Sequence, residues 1–337
     1  MKYPPVTEAD FESALRRGRR GEVSFESARS LYEGSKRLER ALELFSVASK
    51  VRDRNLGREL VLSAHIHMIT ECKVSPPCLY CSLASSDKSI SKERSRLTLR
   101  ELTKDARYAV DRRVQSIVLV GGTGLNGLDS IVRRAVERVR GITGIDLAVD
   151  VGPSLSEETV EWMKDEKVST VFCSIESINA RVFADAKPGD SLIARLGFLD
   201  MLERVGIKIG NVVMNGLGST ADLLSSILYS ARLRNLSYLY ISSFHPVKGT
   251  PWAERRPASV DTALKVLAIA RLALPKVHIG LAEVEIEDPG SMARTRSQLL
   301  AGAGNTIAGV LVYKQLRINN TELIRNRASS LGFDVRA

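Results

Sequence analysis

Several hallmarks of common protein classes are missing from this 337-residue sequence. Four cysteines are too few to stabilise a chain of this length by disulfide bonds, which excludes a small disulfide-rich module. No apolar run reaches the roughly 18 to 20 residues of a membrane span, and the N-terminal MKYPPVTEADFES lacks the apolar core of a signal peptide. Disorder is excluded by an apolar fraction of 44%, which is ample for a large core. We therefore expect a globular cytoplasmic protein with no membrane partner.

The charge balance is basic, with 49 Lys and Arg against 39 Asp and Glu. A net charge of +10 invites a nucleic-acid interpretation. The excess is nevertheless spread thinly along the chain, and RRGRR at 16–20 is its only dense cluster. This distribution favours an ordinary solvated basic surface over a nucleic-acid interface.

From about residue 60 onward, short β-branched runs alternate with amphipathic segments of helix length. The predicted strands are 61–69, 116–121, 145–150, 169–175, 207–214, 236–242, 277–282 and 306–312. The predicted helices lie near 99–113, 126–140, 155–165, 189–205, 219–234, 259–273, 290–303 and 320–331. This alternation predicts an α/β fold, a (β/α)8 TIM-type barrel that is closed or partly open, with a doubly wound open sheet as the alternative. Three further amphipathic patterns over 6–50 predict an N-terminal helical extension (1–55) before the barrel (56–337).

Three of the four cysteines fall within ten residues, in Cys72-Lys-Val-Ser-Pro-Pro-Cys78-Leu-Tyr-Cys81. This loop follows the first predicted strand, and the chemistry of a (β/α)8 barrel collects on the loops at the carboxyl ends of its strands. Three thiolates suit a [4Fe–4S] cluster whose fourth iron is left open. Alternatively, His65 or His67 on the preceding strand completes a Cys3His zinc site, which would fit a basic nucleic-acid-binding module. A role without metal is the third alternative.

The cysteine loop, with Tyr80 directly before its last cysteine, resembles that of the radical S-adenosylmethionine (SAM) superfamily. That superfamily usually has three residues between the first two cysteines, whereas this chain has five. Beyond the loop, the segments 195–220, 247–283 and 299–315 resemble biotin synthase in the same order.

The resemblance implies an enzyme in which Cys72, Cys78 and Cys81 hold a [4Fe–4S] cluster and SAM chelates the open iron. Reductive cleavage of SAM would then give a 5′-deoxyadenosyl radical that abstracts hydrogen from a small-molecule substrate inside the barrel. A reduced ferredoxin or flavodoxin would donate the electron, and a homodimer is compatible with the resemblance.

The resemblance also implies where SAM lies. Tyr80 would border the adenine, and Gly121 and Gly122 would let the methionine amino group approach the end of the second strand. The family usually has an acidic residue next, at the position of Thr123. The simpler alternatives are a loop aromatic that covers the cluster and an ordinary strand-to-helix turn.

Four later positions match SAM-contacting residues of the family. Glu176 would bind the amino group or the ribose hydroxyls, and Arg195 would pair with the SAM carboxylate through its guanidinium fork. Val213 and Gly216 would contact the adenine through the backbone. An exposed Glu, a surface Arg and a simple turn are the corresponding alternatives.

Missing cysteines narrow the subfamily. Biotin synthase needs a second, sulfur-donating cluster, whose cysteines would align near Leu119, Ala148 and Gly210 and whose arginine would align with His278. Only Cys173 remains, which we expect to be a buried small residue. The sequence therefore disfavours sulfur insertion of the biotin or lipoyl synthase type. The five-residue gap resembles the HmdB family, implicated in building the iron-guanylylpyridinol cofactor of the iron-only methanogen hydrogenase. A carbon-skeleton mutase of the methylornithine synthase type is the alternative.

Histidines supply the substrate-side candidates. We expect His278, at the end of strand seven, and His67 to face the barrel interior. His245 follows strand six on a loop at the chemical face. A hydrogen-bonded core histidine is the alternative for the first two.

Overall fold

A computed structural model of the chain describes residues 4–84, 86, 96–124, 127–282, 299, 306–313 and 316–335. Within them, the α-helices are α1 (Glu8–Gly18), α2 (Phe25–Gly34), α3 (Leu38–Leu56), α4 (Leu99–Asp111), α5 (Asp129–Arg140), α6 (Glu157–Asp165), α7 (Ala180–Ala186), α8 (Leu192–Val205), α9 (Thr220–Ser230), α10 (Val260–Ala273) and α11 (Thr321–Ser330). The strands are β1 (Glu59–Ile69), β2 (Ser116–Gly121), β3 (Asp146–Asp150), β4 (Thr170–Phe172), β5 (Lys208–Asn215), β6 (Leu236–Ser243), β7 (His278–Ala282), β8 (Thr306–Tyr313), β9 (Leu316–Asn319) and β10 (Asp334–Val335).

Three helices precede the first strand, as the amphipathic patterns predicted. Thr7 begins α1 with a capping box to Asp10, which satisfies backbone N–H groups of the first turn. A Cβ at Gly18 would lie 2.7 Å from the side chain of Leu272, so the end of α1 packs closely on α10. Because the extension packs against the barrel helices, the division at residue 55 stays a prediction. None of the described helices is both long and apolar enough to cross a membrane.

All eight predicted strands form one sheet, although β4 is reduced to three residues. Its strand order is β7-β6-β5-β4-β3-β2-β1-β8-β9, and every pairing along this path is parallel except that of β8 with β9. The neighbours follow chain order without the reversal of a doubly wound sheet. The doubly wound alternative is therefore wrong, and the barrel prediction is confirmed in its partly open form. The predicted helix at 290–303 lies outside the described residues apart from Leu299. Among the described elements, the sequence did not predict α7, β9, β10 or a 3-10 helix at Ser82–Ala84.

The sheet curls so that its two ends meet. A Cβ at Gly280 on β7 would lie 2.8 Å from the carbonyl oxygen of Thr306 on β8. The hydroxyl groups of Tyr240 and Thr306 are 3.1 Å apart and hydrogen-bonded. Side chains alternate between the two faces of each strand. Those on the outer face pack against the helices in the main core. Those on the inner face point into the barrel, where Val118, Ala148 and Phe172 form a separate cluster with Tyr240.

The lower half of the barrel interior is aromatic. Phe172 stacks on Tyr240 with ring centroids 5.9 Å apart, and Tyr238 stacks on His278 at 4.8 Å. His278 is the first residue of β7, so it lies at the amino end of that strand, opposite the loops that carry chemistry in such barrels. His278 therefore belongs to strand seven, as predicted, but it lies at the end of the strand away from the cysteine loop.

Candidate functional site

The cysteine loop leaves β1 at the carboxyl end and packs against the end of β2. The backbone N–H of Lys73 donates to the carbonyl oxygen of Thr123 at 2.9 Å. A Cβ at Gly122 would lie 2.3 Å from the carbonyl oxygen of Glu71, which no side chain tolerates. Gly122 is therefore required for close packing of the loop, a physical reason beyond the approach of a ligand.

The other side of the loop packs against the connection between α7 and α8. Leu79 donates its N–H to the carbonyl oxygen of Ala186 at 2.9 Å. A Cβ at Gly189 would lie 2.2 Å from the carbonyl oxygen of Pro76, so here too a glycine lets two backbones touch. Two independent backbone contacts therefore fix the loop relative to the barrel.

All three cysteines of the loop line one cavity of about 330 Å³. Burial raises the pKa of the Cys78 thiol to about 12 and that of Cys81 to about 11. Three soft sulfur donors on one cavity suit a [4Fe–4S] cluster, which takes its protein ligands on separate irons. Among the described residues, no three His, Cys, Asp or Glu side chains converge on a single metal ion.

A buried network of charges lies beside this cavity. Lys187, whose side chain is 3% exposed, binds Glu176 Oε2 at 3.0 Å and Asp190 Oδ2 at 3.1 Å. Arg195 Nη2 binds the same oxygen of Asp190 at 2.6 Å. Burial opposes ionisation of Asp190, but the hydrogen bond from Arg195 and the charge of Lys187 lower its pKa to about 2. The four side chains form one chain of alternating charge.

Tyr80 connects the network to the cysteine loop. Its hydroxyl donates to Glu176 Oε2, and its ring lies 5.9 Å from the ring of Trp252. Burial and the charge of Glu176 raise the pKa of Tyr80 well above its ordinary value, so the hydroxyl stays protonated. The prediction that Tyr80 borders the adenine is not tested by these contacts.

Glu176 is held in a strained backbone conformation. Its φ is +58°, which is uncommon for a residue with a Cβ and typical of functional positions. Its N–H donates to Val212 at 2.8 Å, and a parallel bridge pairs it with Val213. The turn after β5 begins at Gly216, with φ +97°. The backbone thus brings Glu176 and the strand-five positions together, while their contacts with SAM stay predictions.

Arg195 is 4% exposed and is not a surface arginine. Its Nη1 donates to the carbonyl oxygen of Ser174 at 2.8 Å and its Nη2 to Thr123 Oγ1 at 3.3 Å. Cys173, fully buried as expected, lies with its Sγ 3.6 Å from the carbonyl oxygen of Arg195. The guanidinium is therefore oriented at the ends of β2 and β4.

The histidines divide between the interior and the surface. Burial lowers the pKa of His65 and His67 to about 4, so both rings are neutral at pH 7. Both keep part of their surface accessible, which indicates that they border an internal space. His65 Nε2 has no hydrogen-bond partner within the described chain. His245 is exposed on the loop after β6, and its role stays a prediction.

Sequence reasoning missed Lys187, Asp190 and Asp150. Lys187 and Asp190 flank a Pro-Gly turn in AKPGDS, and this turn was the only available signal. Asp150 is the last residue of predicted strand three, and an acidic residue at the carboxyl end of a barrel strand is itself a functional signal.

The fold is a partial (β/α)8 barrel that carries three cysteines on the loop after β1 and a buried charge network beside them. This combination is typical of enzymes that bind a metal cofactor. Comparison with known families identifies the class: the family model of the Radical SAM superfamily matches residues 66–226. Residues 66–226 are therefore similar to the radical SAM superfamily, whose members use a [4Fe–4S] cluster and SAM. The matched region contains the three loop cysteines, the charge network and the β5 positions.

Individual relatives support the biotin-synthase-like branch. An uncharacterized protein of Methanocaldococcus jannaschii is 30% identical over 71% of this chain and 63% of its own. The [FeFe] hydrogenase maturase subunit HydE of Thermotoga maritima is 27% identical over 70% of this chain and 66% of its own. A biotin synthase of Alkaliphilus metalliredigens is 27% identical over 77% and 80%. The chain thus matches slightly less than two thirds of the length of the first two.

The fold is also that of a solved structure. The crystal structure of methylornithine synthase (PylB) superposes with a TM-score of 0.81, covering 96% of this chain and 97% of that one at 19% identity. At that identity the likeness concerns the fold alone.

Proposed function

We propose that this protein is a radical SAM enzyme that abstracts hydrogen from a small-molecule precursor in cofactor biosynthesis. The observation that carries the proposal is the single cavity of about 330 Å³ lined by Cys72, Cys78 and Cys81, beside the buried charge network. A bound [4Fe–4S] cluster would supply one electron that cleaves SAM to methionine and a 5′-deoxyadenosyl radical.

The residues around the cavity suit SAM as the second cofactor. The buried guanidinium of Arg195, which also binds Asp190, would bind the carboxylate of SAM. Glu176, fixed by its backbone, would accept hydrogen bonds from the amino group or the ribose hydroxyls. Lys187 holds both acidic residues of the network in place. The partly closed barrel below would position a C–H bond of the substrate and exclude water from the radical.

The cofactor-biosynthesis assignment, of the HmdB type, goes one step further. It is supported by the five-residue cysteine gap and by the similarity to the hydrogenase maturase HydE. Sulfur insertion is disfavoured because Ala148, one of the aligned second-cluster positions, is an interior alanine, and because Cys173 is fully buried. A reduced ferredoxin or flavodoxin is the proposed electron donor.

A carbon-skeleton mutase of the methylornithine synthase type is the second candidate. It is supported by the sequence similarity to a 3-methylornithine synthase of Methanosarcina barkeri, which is 25% identical over 80% of this chain and 74% of its own. The two candidates differ in substrate class, since one acts on a pyridinol precursor and the other on an amino acid.

The test of the superfamily activity is anaerobic reconstitution followed by SAM cleavage under a strong reductant. We expect about four irons per chain, as the cluster formula requires, and release of 5′-deoxyadenosine. Cys78→Ala should abolish both. Cys173→Ala is the matched control, because it removes a thiol outside the cavity and should keep iron and cleavage. An active Cys78→Ala protein without iron would refute the proposal.

The substrate class is tested in the same assay. Adding candidate pyridinol precursors should raise 5′-deoxyadenosine formation several-fold under the HmdB-like assignment. A rise with amino acids alone, together with a rearranged carbon skeleton in the product, would establish the mutase instead.

A further inference from the structure

The cysteine cavity lies directly at the protein surface along one stretch of its wall. Lys73, Ser75 and Pro77 line the cavity together with the cysteines, and all three are exposed. Pro76 between them is exposed as well. Because the same residues line the cavity and reach solvent, little protein separates the cysteine sulfurs from the outside here.

The turn between α7 and α8 extends this surface. A Cβ at Gly189 would lie 2.2 Å from the carbonyl oxygen of Pro76, so the turn and the cysteine loop touch through their backbones. Pro188 in the turn is exposed, and Ile193, the second residue of α8, is 84% exposed. No other large apolar side chain in the described part of the chain is as exposed. Arg195 is buried, and two positions along a helix are roughly 200° apart, so Ile193 points away from the charge network.

Pro76, Pro77, Pro188 and Ile193 are named here the loop patch. Single exposed apolar side chains are ordinary on a protein surface, whereas a group of them marks an interaction site. The position of this group beside the cysteine cavity indicates what covers it. The chemistry proposed for the cavity needs an electron from outside the chain, and electron transfer slows steeply with distance. A carrier therefore has to dock where the cavity reaches the surface.

The size and charge of the patch fit such a carrier. Electron-transfer complexes are small, with less than about 1,200 Å² buried in total, so a patch of four residues is sufficient as their apolar centre. The chain has a net charge of +10, and Lys73 is exposed next to the patch. Both favour the approach of an acidic protein.

We propose that the loop patch is the docking site of a small acidic protein that delivers single electrons. The inference rests on the proposed function, because it assigns a surface to the electron donor of that reaction. In each encounter the reduced carrier loses one electron and leaves oxidised, while the cluster beside the patch gains that electron. No covalent bond of the carrier forms or breaks.

The first test measures docking without turnover. On anaerobically reconstituted protein, isothermal titration calorimetry gives the affinity for an oxidised ferredoxin and for an oxidised flavodoxin. Ile193→Glu should weaken the affinity for the carrier that binds by about 10-fold or more, because it removes an apolar anchor and adds a charge that repels an acidic partner. The substitution suits the fold, since an acidic residue in the first turn of a helix is favourable.

The second test separates docking from the reaction. Ile193→Glu should raise the KM for the reduced carrier in SAM cleavage by a similar factor. Cleavage driven by dithionite, which needs no docking surface, should keep its native rate.

The matched control is Leu38→Glu. Leu38 is 69% exposed in the first turn of α3, which packs on α10, and this variant should keep the native affinity. If Ile193→Glu fails to fold by circular dichroism, Ile193→Ser replaces it, with a loss of several-fold expected. Equal affinity of native and Ile193 variant, an equal loss in Leu38→Glu, or no binding of either carrier to a native protein that cleaves SAM with dithionite overturns the inference and leaves the proposed function intact. Failure of the native protein to load iron or to cleave SAM with dithionite would instead refute the proposed function.

Discussion

Replacing Lys187 by Met should destabilise the protein strongly, because its ammonium lies between two buried carboxylates. Its contacts with Glu176 and Asp190 measure 3.0 and 3.1 Å, and these carboxylate side chains are only 14% and 5% exposed. Burial alone would lower the pKa of Lys187, yet the two carboxylates raise it above its ordinary value. Removing one partner of a buried ion pair costs about 3 to 5 kcal/mol. Because Asp190 keeps Arg195, we expect a loss near the lower end, about 3 kcal/mol.

The matched control is Lys265→Met. Lys265 is nearly as buried, with its side chain 8% exposed, and its ion pair with Asp261 is 2.6 Å long, but Asp261 is 66% exposed. Water solvates the abandoned carboxylate there, so the loss should be about 1 kcal/mol or less. Equilibrium urea unfolding of both variants under anaerobic conditions, followed by circular dichroism, measures the difference. Equal losses for the two variants would refute the argument that burial of the partners sets the cost.

Three further predictions follow from glycine packing and from buried titratable groups. Gly122→Ala should reduce iron loading several-fold, because its Cβ meets backbone at 2.3 Å, whereas Gly197→Ala, with open space in a helix, should load normally. Burial raises the pKa of Asp150 to about 6, so the free energy of unfolding of the native protein should fall as the pH rises from 4 to 6. Asp150→Asn removes this loss, so urea unfolding should show the variant to be more stable by up to roughly 3 kcal/mol at pH 7 and equally stable below pH 4. Burial lowers the pKa of His65 and His67 to about 4, so the free energy of unfolding should also fall as the pH drops from 6.5 towards 4. His65→Phe should halve the slope of unfolding free energy against pH in this range. An unchanged slope would contradict a neutral histidine in the interior.

The strands of the barrel were predictable because their sequences are local signals. Runs such as SIVLVG and IDLAVD alternate with amphipathic segments, and their length and β-branched content favour strands. The parallel neighbour order then follows from the βαβ pattern. The short strand β9 was not predictable, because LRIN is mostly exposed and its pairing depends on the position of β8. The helix α7 is only seven residues long, too short for a periodic pattern.

The candidate site was predictable only in part. The three loop cysteines lie within ten residues, so the sequence alone reveals them as a group. Arg195 and Glu176 were predicted as site residues from the family resemblance. The role of Lys187 could not be predicted, because it depends on the ion pair with Glu176, eleven positions earlier, and on a turn that returns the chain to the cysteine loop. The location of His278 at the amino end of β7 required the exact strand bounds. Pairing between distant elements is a property of the folded chain, not of any local window.

The acidic side chains of the site differ in what balances them, and this difference bears on how the site works. Lys187 and Arg195 neutralise Glu176 and Asp190 in the folded chain, so this part of the site is already ordered before a ligand arrives and binding costs little further ordering. Asp150 has no such ion pair within the described part of the chain: it accepts the N–H of Gly152 and is attracted by the charges of Arg195 and Lys187, yet burial still raises its pKa to about 6. Its desolvation is therefore compensated less completely than that of Glu176 and Asp190.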